Sequence, residues 1–269
     1  MTDDVLPLPS ITDAGAAHRF RVVVSGSHGG LYPGYLAAKA GLKAVILNDA
    51  GGGLEDAGVA GIRALDQVGM AAAAVSHLSA RIGDAHDMMA RGVISTVNIA
   101  ASDLGVVIGM PCAEAAHRFT RAATPAGELP PVAEARRIVP LAGGPEVVLA
   151  DSASLVGPDD AGRIVITGSH GGLVGGDPAR ALKTEAALAV FNDAGGGIED
   201  AGVTRLPALD VRGIAAVTVS HGSARIGDAA SAWKTGAISH ANGAAAALGA
   251  QPGETLRAWI DRAFAARRS

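Results

Sequence analysis

Short apolar runs alternate with alanine-rich segments along the chain, and each run is followed by a polar motif. The runs lie at 21–24, 44–47 and 71–75 in the first half and at 163–166, 187–191 and 215–219 in the second half. Apolar runs of this length that alternate with helical segments are typical of βαβ units, whose parallel strands are buried on both faces. The pattern therefore predicts an α/β fold with a mainly parallel sheet.

The whole pattern occurs twice. Residues 48–59 read Asn-Asp-Ala-Gly-Gly-Gly-Leu-Glu-Asp-Ala-Gly-Val, and they recur at 192–203 with Leu54 replaced by Ile198. Residues from about 5 to 105 align with residues from about 147 to 250 at an offset of 142 to 144. Self-similarity at one offset indicates a duplicated half-domain. We expect two βαβαβα units that form a three-layer, pseudo-two-fold sheet.

On this basis the chain divides into four parts. The first unit covers 1–124, a linker or surface loop covers 125–145, the second unit covers 146–252, and an amphipathic C-terminal helix covers 253–269. Within the units we predict helices at 35–40 and 178–186, helices that begin in 79–84 and 223–228, and an extra strand at 146–151.

Composition narrows the class of protein. The net charge is −4 and aromatic residues make up 3% of the chain, so the basic face and stacking aromatics of a nucleic-acid binder are not visible. Cys112 is the only cysteine, which excludes an intramolecular disulfide and a thiolate metal cluster. The first residues lack the positive charge of a signal peptide, and no apolar run approaches the ~18 residues of a membrane span. We expect a cytoplasmic protein with neither nucleic-acid nor membrane partners.

Three polar motifs occur in both halves, and each follows a strand. Because ligands of parallel sheets bind outside the carboxyl ends of the strands, we expect the motifs to converge on one site. The first motif, Gly-Ser-His-Gly-Gly, contains His28 or His170. Its glycine N–H groups can bind an anion, and its histidine can transfer a proton or bind a metal. The alternative is a tight turn whose histidine is bonded to a neighbouring loop.

The second motif is the Asn-Asp-Ala-Gly-Gly-Gly turn with its two following carboxylates. Asp49 and Asp193 precede the glycines, so we expect them to orient a histidine, bind a substrate hydroxyl or amine, or hold a cation. The later pairs, 55–56 and 199–200, are expected to cap the first turn of a helix.

The third motif, Ser-His-x-Ser-Ala-Arg-Ile-Gly-Asp, adds a strand-end histidine and an arginine. Arg81 and Arg225 fit two roles equally well, either a clamp for a substrate carboxylate or phosphate, or an ion pair between the two units.

The candidate residues are the polar members of these motifs. The candidate catalytic residues are His28, His170, His77, His221, Asp49 and Asp193. The candidate substrate-binding residues are Ser27, Ser169, Gly29, Gly171, Asn48, Asn192, Gly52, Gly196, Arg81 and Arg225. The two halves keep these residues while their surroundings differ, as at Tyr32 and Val174. That pattern favours one composite site over two equivalent sites.

No nucleotide cofactor is expected, because both the dinucleotide and the P-loop fingerprints are missing. Asp49, Glu55, Asp56 and His28 can supply ligands for a divalent metal ion, but no recognised ligand spacing occurs, so the expectation is either no cofactor or a divalent metal ion.

The residue types favour an enzyme that acts on a small polar, anionic metabolite by histidine and aspartate acid–base chemistry. A hydrolase of a cyclic amide or related C–N bond is the leading reaction, with a lyase or isomerase second. A non-catalytic small-molecule-binding protein and a structural scaffold are the alternatives. The alanine-rich surface and the C-terminal helix favour a homo-oligomer.

Overall fold

A computed structural model describes residues 4–264, and within them the strands form two mixed, mostly parallel sheets. The first sheet has the order β1-β2-β3-β4-β5, in which only the edge strand β5 runs antiparallel. Its strands are β1 Val5–Leu8, β2 Val22–His28, β3 Ala44–Asn48, β4 Ala71–Val75 and β5 Ile94–Val97.

The second sheet has the order β11-β10-β9-β8-β7-β6, with both edge strands antiparallel. Its strands are β6 Arg136–Val139, β7 Val147–Ala150, β8 Ile164–His170, β9 Leu188–Asn192, β10 Ala215–Val219 and β11 Ile238–Ala241. The extra strand predicted at 146–151 is therefore present as β7, and the segment predicted as a linker contains β6.

Helices pack on the sheets. They are α1 Leu31–Lys39, α2 Ala60–Ala64, α3 Ala85–Arg91, α4 Ile99–Asp103, α5 Cys112–Phe119, α6 Arg205–Val211, α7 Ala229–Thr235, α8 Gly243–Ala247 and α9 Leu256–Phe264. Between residues 4 and 264, every helix is too short to cross a membrane.

Alternate side chains of the central strands enter different clusters, as the two-residue repeat of a strand requires. In β3, Ile46 joins the cluster under α3 and α5, whereas Val45 and Leu47 join the cluster under α1 and α2. The second sheet is buried in the same way on both faces. The α/β class predicted from the apolar runs is confirmed, although the strands form two sheets where the repeat suggested one.

The C-terminal helix is present as α9, with Leu256, Trp259 and Ile260 buried on the second sheet. The part of this prediction at 265–269 lies outside the described residues. The helices predicted to begin in 79–84 and 223–228 start later, because these segments are turns that end in helix caps. Asp84 accepts a hydrogen bond from Asp87 N, and Asp228 accepts one from Ser231 N.

The second half differs from the prediction at 178–186, where a 3-10 turn, Pro178–Arg180, replaces an α-helix. Two arginines bind carbonyl groups of this segment, which an α-helix would use for its own hydrogen bonds, and one of them also binds Gly172. Arg205 donates to the carbonyls of Gly172, Arg180 and Ala181, and Arg212 donates to those of Leu182 and Thr184.

The first half has glycine where the second has Arg205. A Cβ at Gly61 would lie 2.1 Å from the carbonyl oxygen of Gly30, so only glycine lets α1 approach α2. The first half thus combines Gly61 with helix α1. The second half has Arg205 at the equivalent position and, in place of that helix, a loop whose carbonyls bind Arg205. Burial lowers the pKa of Arg205 to about 10.

Candidate functional site

The three glycines of each Asn-Asp-Ala-Gly-Gly-Gly turn allow the backbone to adopt left-handed φ values. Ala50, Gly51, Gly52 and Gly53 have φ values of 50°, 74°, 68° and 71°, and residues 194–197 repeat this with 50°, 81°, 71° and 74°. Four consecutive residues in this region are costly for side chains with a Cβ. Left-handed residues other than glycine cluster where a backbone is held in place for function.

Asp49 joins the turn to the histidine at the end of the next strand. Its Oδ1 accepts hydrogen bonds from His77 Nδ1 at 2.8 Å, from His77 N at 2.9 Å and from Gly51 N at 3.0 Å. Its Oδ2 accepts a 2.7 Å bond from the Ser95 hydroxyl. Burial raises the pKa of Asp49, but these hydrogen bonds outweigh it and hold the pKa below its usual value.

Asp193 binds His221 in the same way, at 3.0 Å to Nδ1 and 2.8 Å to the backbone N. The hydrogen bond from His221 to Asp193 raises the pKa of His221, with a further contribution from the charge of Asp49. In both pairs the carboxylate fixes the proton on Nδ1. Nε2 is therefore the atom left for proton transfer, and it has no hydrogen-bond partner in the described structure.

Each histidine also contacts the glycine turn of the other half. Ile198 N donates to His77 O, and Leu54 N donates to His221 O, both at 2.8 Å. At the centre, a Cβ on Gly51 would lie 3.1 Å from Gly195 Cα. The two turns therefore meet directly, and this meeting place, with its two Asp–His pairs, is called the inter-half contact below.

Both arginines of the third motif form ion pairs across the inter-half contact. Arg225 Nη1 lies 3.0 Å from Glu55, and Arg81 binds Glu199, which also accepts from Arg91 at 2.8 Å. Glu55 and Glu199 have left-handed φ values and pair with these arginines. Of the two roles open from the sequence, the structure shows the ion pair.

The Gly-Ser-His-Gly-Gly loops sit beside this contact. His28 Nδ1 accepts a 3.2 Å hydrogen bond from Gly30 N. A backbone N–H can only donate, so a neutral His28 carries its proton on Nε2. Burial lowers the pKa of His28 to about 4, so the ring is neutral at pH 7. Burial lowers the pKa of His170, and electrostatic interaction with Arg205 and with His28 lowers it further.

The neighbouring motif residues bind the protein itself. The Ser27 hydroxyl accepts from Ile11 N and the Ser169 hydroxyl from Ala153 N. The other predicted binding groups make these bonds: Gly29 N to Asn48 O, Gly171 N to Asn192 O, Gly52 N to Asp49 O, Gly196 N to Asp193 O, Asn48 Nδ2 to Ala80 O, and Asn192 Nδ2 to Ala224 O.

His28 lines a cavity of about 290 Å³ that both halves build. The first half contributes Ser27, His28 and Tyr32. The other wall carries Glu134, Asp151, Ser152, Arg225 and Asp228. The His28 ring meets this second wall, because its Cε1 would lie 3.6 Å from a Cβ on Gly227. The structure thus brings three predicted site residues, Ser27, His28 and Arg225, to one cavity.

Glu134 and Tyr32 are the cavity groups that sequence reasoning missed as site residues. The pKa of Glu134 is raised above its usual value, mainly by burial and also by the charge of Asp151. Hydrogen bonding to Ser152 and to Tyr32 opposes this rise. Burial and then Glu134 raise the pKa of Tyr32. Glu134 lies in the segment 125–145, which the sequence predicts to be a linker or surface loop and in which no motif marks it. Tyr32 was visible only as a difference from Val174.

The corresponding place in the second half is closed. Gly175 N donates to Gly83 O at 2.8 Å, and a Cβ on Gly83 would lie 2.1 Å from Leu173 O. The segment 173–176 therefore packs on the turn that corresponds to Gly227. His170 is 6% exposed as a result. Only one of the two related histidines lines the cavity.

Within residues 4–264, no three or more histidine, cysteine, aspartate or glutamate side chains are grouped to hold a metal ion. In comparisons with known proteins, neither a family model nor a curated protein nor a solved structure matches the chain. The site must therefore be interpreted from its own chemistry.

Proposed function

We propose that the chain is an enzyme that acts on a small polar metabolite in the His28 cavity, and that it hydrolyses a cyclic amide or related C–N bond. The observation that carries the proposal is that a neutral histidine, His28, and a carboxyl group with a raised pKa, Glu134, line one cavity of about 290 Å³. Perturbed pKa values gathered in a cleft are characteristic of catalytic sites.

The tautomer of His28 suits the activation of a carbonyl group. With its proton on Nε2 and a pKa of about 4, His28 can donate a hydrogen bond to a bound molecule without carrying a charge. Such a donor stabilises the negative charge that develops on an amide oxygen when water attacks the carbon. Glu134, whose pKa is raised, is the group we assign to proton transfer from that water and to the leaving nitrogen.

The inter-half contact has a supporting role in this proposal. The Asp49–His77 and Asp193–His221 pairs bind the turns of both halves and so hold the two cavity walls together. We also propose that the halves are duplicated units related by a pseudo-two-fold axis within a three-layer architecture. The repeated sequence at 48–59 and 192–203 and the matching Asp–His bonds support this.

The test is a screen of cyclic amides and imides for ring opening, detected by mass, with the intact protein and four variants. Glutamine can place an N–H near the position of Nε2, whereas asparagine cannot. We expect H28N to lower kcat by about 10²- to 10⁴-fold and H28Q to retain more activity. H117N is the matched control, because His117 is exposed on α5.

The fourth variant is the double substitution H77N/H221N, which we expect to lower the melting temperature more than kcat per folded molecule. Loss of kcat at an unchanged melting temperature would instead identify the Asp–His pairs as the acid–base groups. If none of the variants changes the activity, the cavity is not the active site. A lyase or isomerase would be recognised by a product of unchanged composition, or by two fragments formed without water.

A homo-oligomer remains part of the proposal. It is supported by exposed apolar side chains on the first half, at Ile99, Val107 and Ile108. Sedimentation at several protein concentrations tests it.

A further inference from the structure

We infer that the His28 cavity selects a small cationic molecule with N–H donors, such as an amidinium or ammonium compound, which Glu134 binds. This inference rests on the proposed function of the cavity, and it concerns the charge of the molecule that enters. The inferred charge is opposite to that of the anionic metabolite that the arginines in the sequence predict.

Among the described residues that line the cavity, Arg225 is the only arginine, and the protein already neutralises it. Arg225 Nη2 and Nε donate to Asp228 at 2.9 and 3.2 Å, and Nη1 donates to Glu55 at 3.0 Å. All three nitrogens of its guanidinium group thus bind carboxylates. An anionic ligand would meet a guanidinium group whose charge Asp228 and Glu55 already balance, and His28 offers it no positive charge at neutral pH.

The carboxylates of the wall are satisfied to different degrees. Asp151 accepts hydrogen bonds from two backbone groups, Ala135 N at 2.8 Å and Ala229 N at 3.0 Å. Asp228 is paired with Arg225. Glu134 forms no ion pair within the described structure, and the side chains that act on its pKa, Ser152, Asp151 and Tyr32, carry no positive charge.

The unpaired carboxyl group is therefore the strongest recognition element of the cavity. An amidinium has two N–H donors in one plane and a full positive charge, which matches a carboxylate that has no cationic partner. The apolar part of such a molecule has a surface to contact, because Ile11, Leu36 and Ala60 also line the cavity. The raised pKa of Glu134 agrees with a carboxyl group that lacks a cation.

The probes are benzamidine, benzamide and benzoate, which have nearly the same shape and carry positive, zero and negative charge. Calorimetric titration of the full-length protein at pH 7.5 measures the dissociation constant of each. We expect benzamidine to bind at least tenfold more tightly than benzamide, and benzoate to bind most weakly.

The variants separate Glu134 from general charge effects. E134Q should weaken benzamidine binding at least tenfold and leave benzamide binding within twofold. The matched control is E128Q, which removes the same charge from the same segment at an exposed position outside this cavity. It should leave all three affinities unchanged.

The inference is overturned if benzoate binds at least as tightly as benzamidine, if E134Q and E128Q act alike, or if none of the three probes binds. The proposed reaction fails separately. If benzamidine binds through Glu134 but no cyclic amide is opened, the cavity is a cation-binding site without this activity. If neutral amides are opened and benzamidine does not inhibit, the reaction stands and the charge selectivity is wrong.

Discussion

Replacing Gly195 by alanine is the most informative perturbation of the inter-half contact. A Cβ at Gly195 would lie 2.8 Å from Cδ2 and 2.9 Å from Nε2 of His77, and 3.1 Å from Cα of Gly51. Gly196 is the matched control, because its φ of 71° is close to the 81° of Gly195 but a Cβ there meets nothing within 4 Å.

The two substitutions share one cost and differ in another. An alanine in the left-handed region costs ~1–2 kcal/mol at either position. G195A adds overpacking against His77 and the facing turn, which costs a further ~1–3 kcal/mol. Ala194, with a φ of 50°, shows that the fold accepts a Cβ in this conformation, so we expect G196A to fold.

Urea denaturation followed by circular dichroism measures both variants. We expect G195A to be less stable than G196A by about 1–3 kcal/mol, which corresponds to a difference in melting temperature of ~2–4 °C per kcal/mol for a chain of this size. Equal destabilisation of the two variants would refute the direct meeting of the turns. Because His77 must move, G195A should also shift the ring resonances of His77 while G196A leaves them in place.

Three further predictions concern groups whose pKa the fold shifts. The His28 ring should titrate near pH 4 by NMR, and titration near 6.5 would contradict its burial. Because the ring binds its proton near pH 6.5 in the unfolded chain, the stability due to neutral His28 should be full above pH 6.5 and should fall as the pH drops toward 4. His221 should show the opposite sign: its raised pKa stabilises the fold below pH 6.5, this contribution should disappear as the pH rises through the folded pKa, and H221N should abolish the loss. Burial raises the pKa of Cys112 to about 12, so this thiol should react with a disulfide reagent only at the rate of unfolding, and fast labelling of the folded protein would show that it is accessible.

The sequence predicted those parts of the molecule that depend on local pattern. The apolar runs 44–47 and 187–191 form β3 and β9, with their Asn-Asp pairs at the strand ends. They could be predicted because buried strands and glycine turns are determined by residues adjacent in the sequence. The pairing of Asp49 with a histidine was also open to prediction, since β3 and β4 are neighbours whose ends meet at one edge.

The remainder depended on contacts between distant segments. The residues around Arg205 do not predict that it binds the carbonyls of residues 180 and 181, where the sequence pattern predicts a helix. The effect of having Arg205 where the first half has Gly61 depends on contacts that form only in the folded chain. Glu134 reaches the cavity from a segment without a motif. The strands pair in two separate sheets, and the halves meet through the turns at their strand ends; the strand pattern in the sequence predicts neither arrangement.

The most direct measurement of the central claim compares kcat of H28N with kcat of H170N on a cyclic amide that the intact protein opens, each corrected for its folded fraction. The two histidines occupy the same position in the repeat, but only His28 lines the cavity. The account predicts a loss of about 10²- to 10⁴-fold for H28N and a change of less than about threefold for H170N. Equal losses in both variants would contradict a single open cavity and favour two equivalent sites, and a loss confined to H170N would place the reaction in the second half.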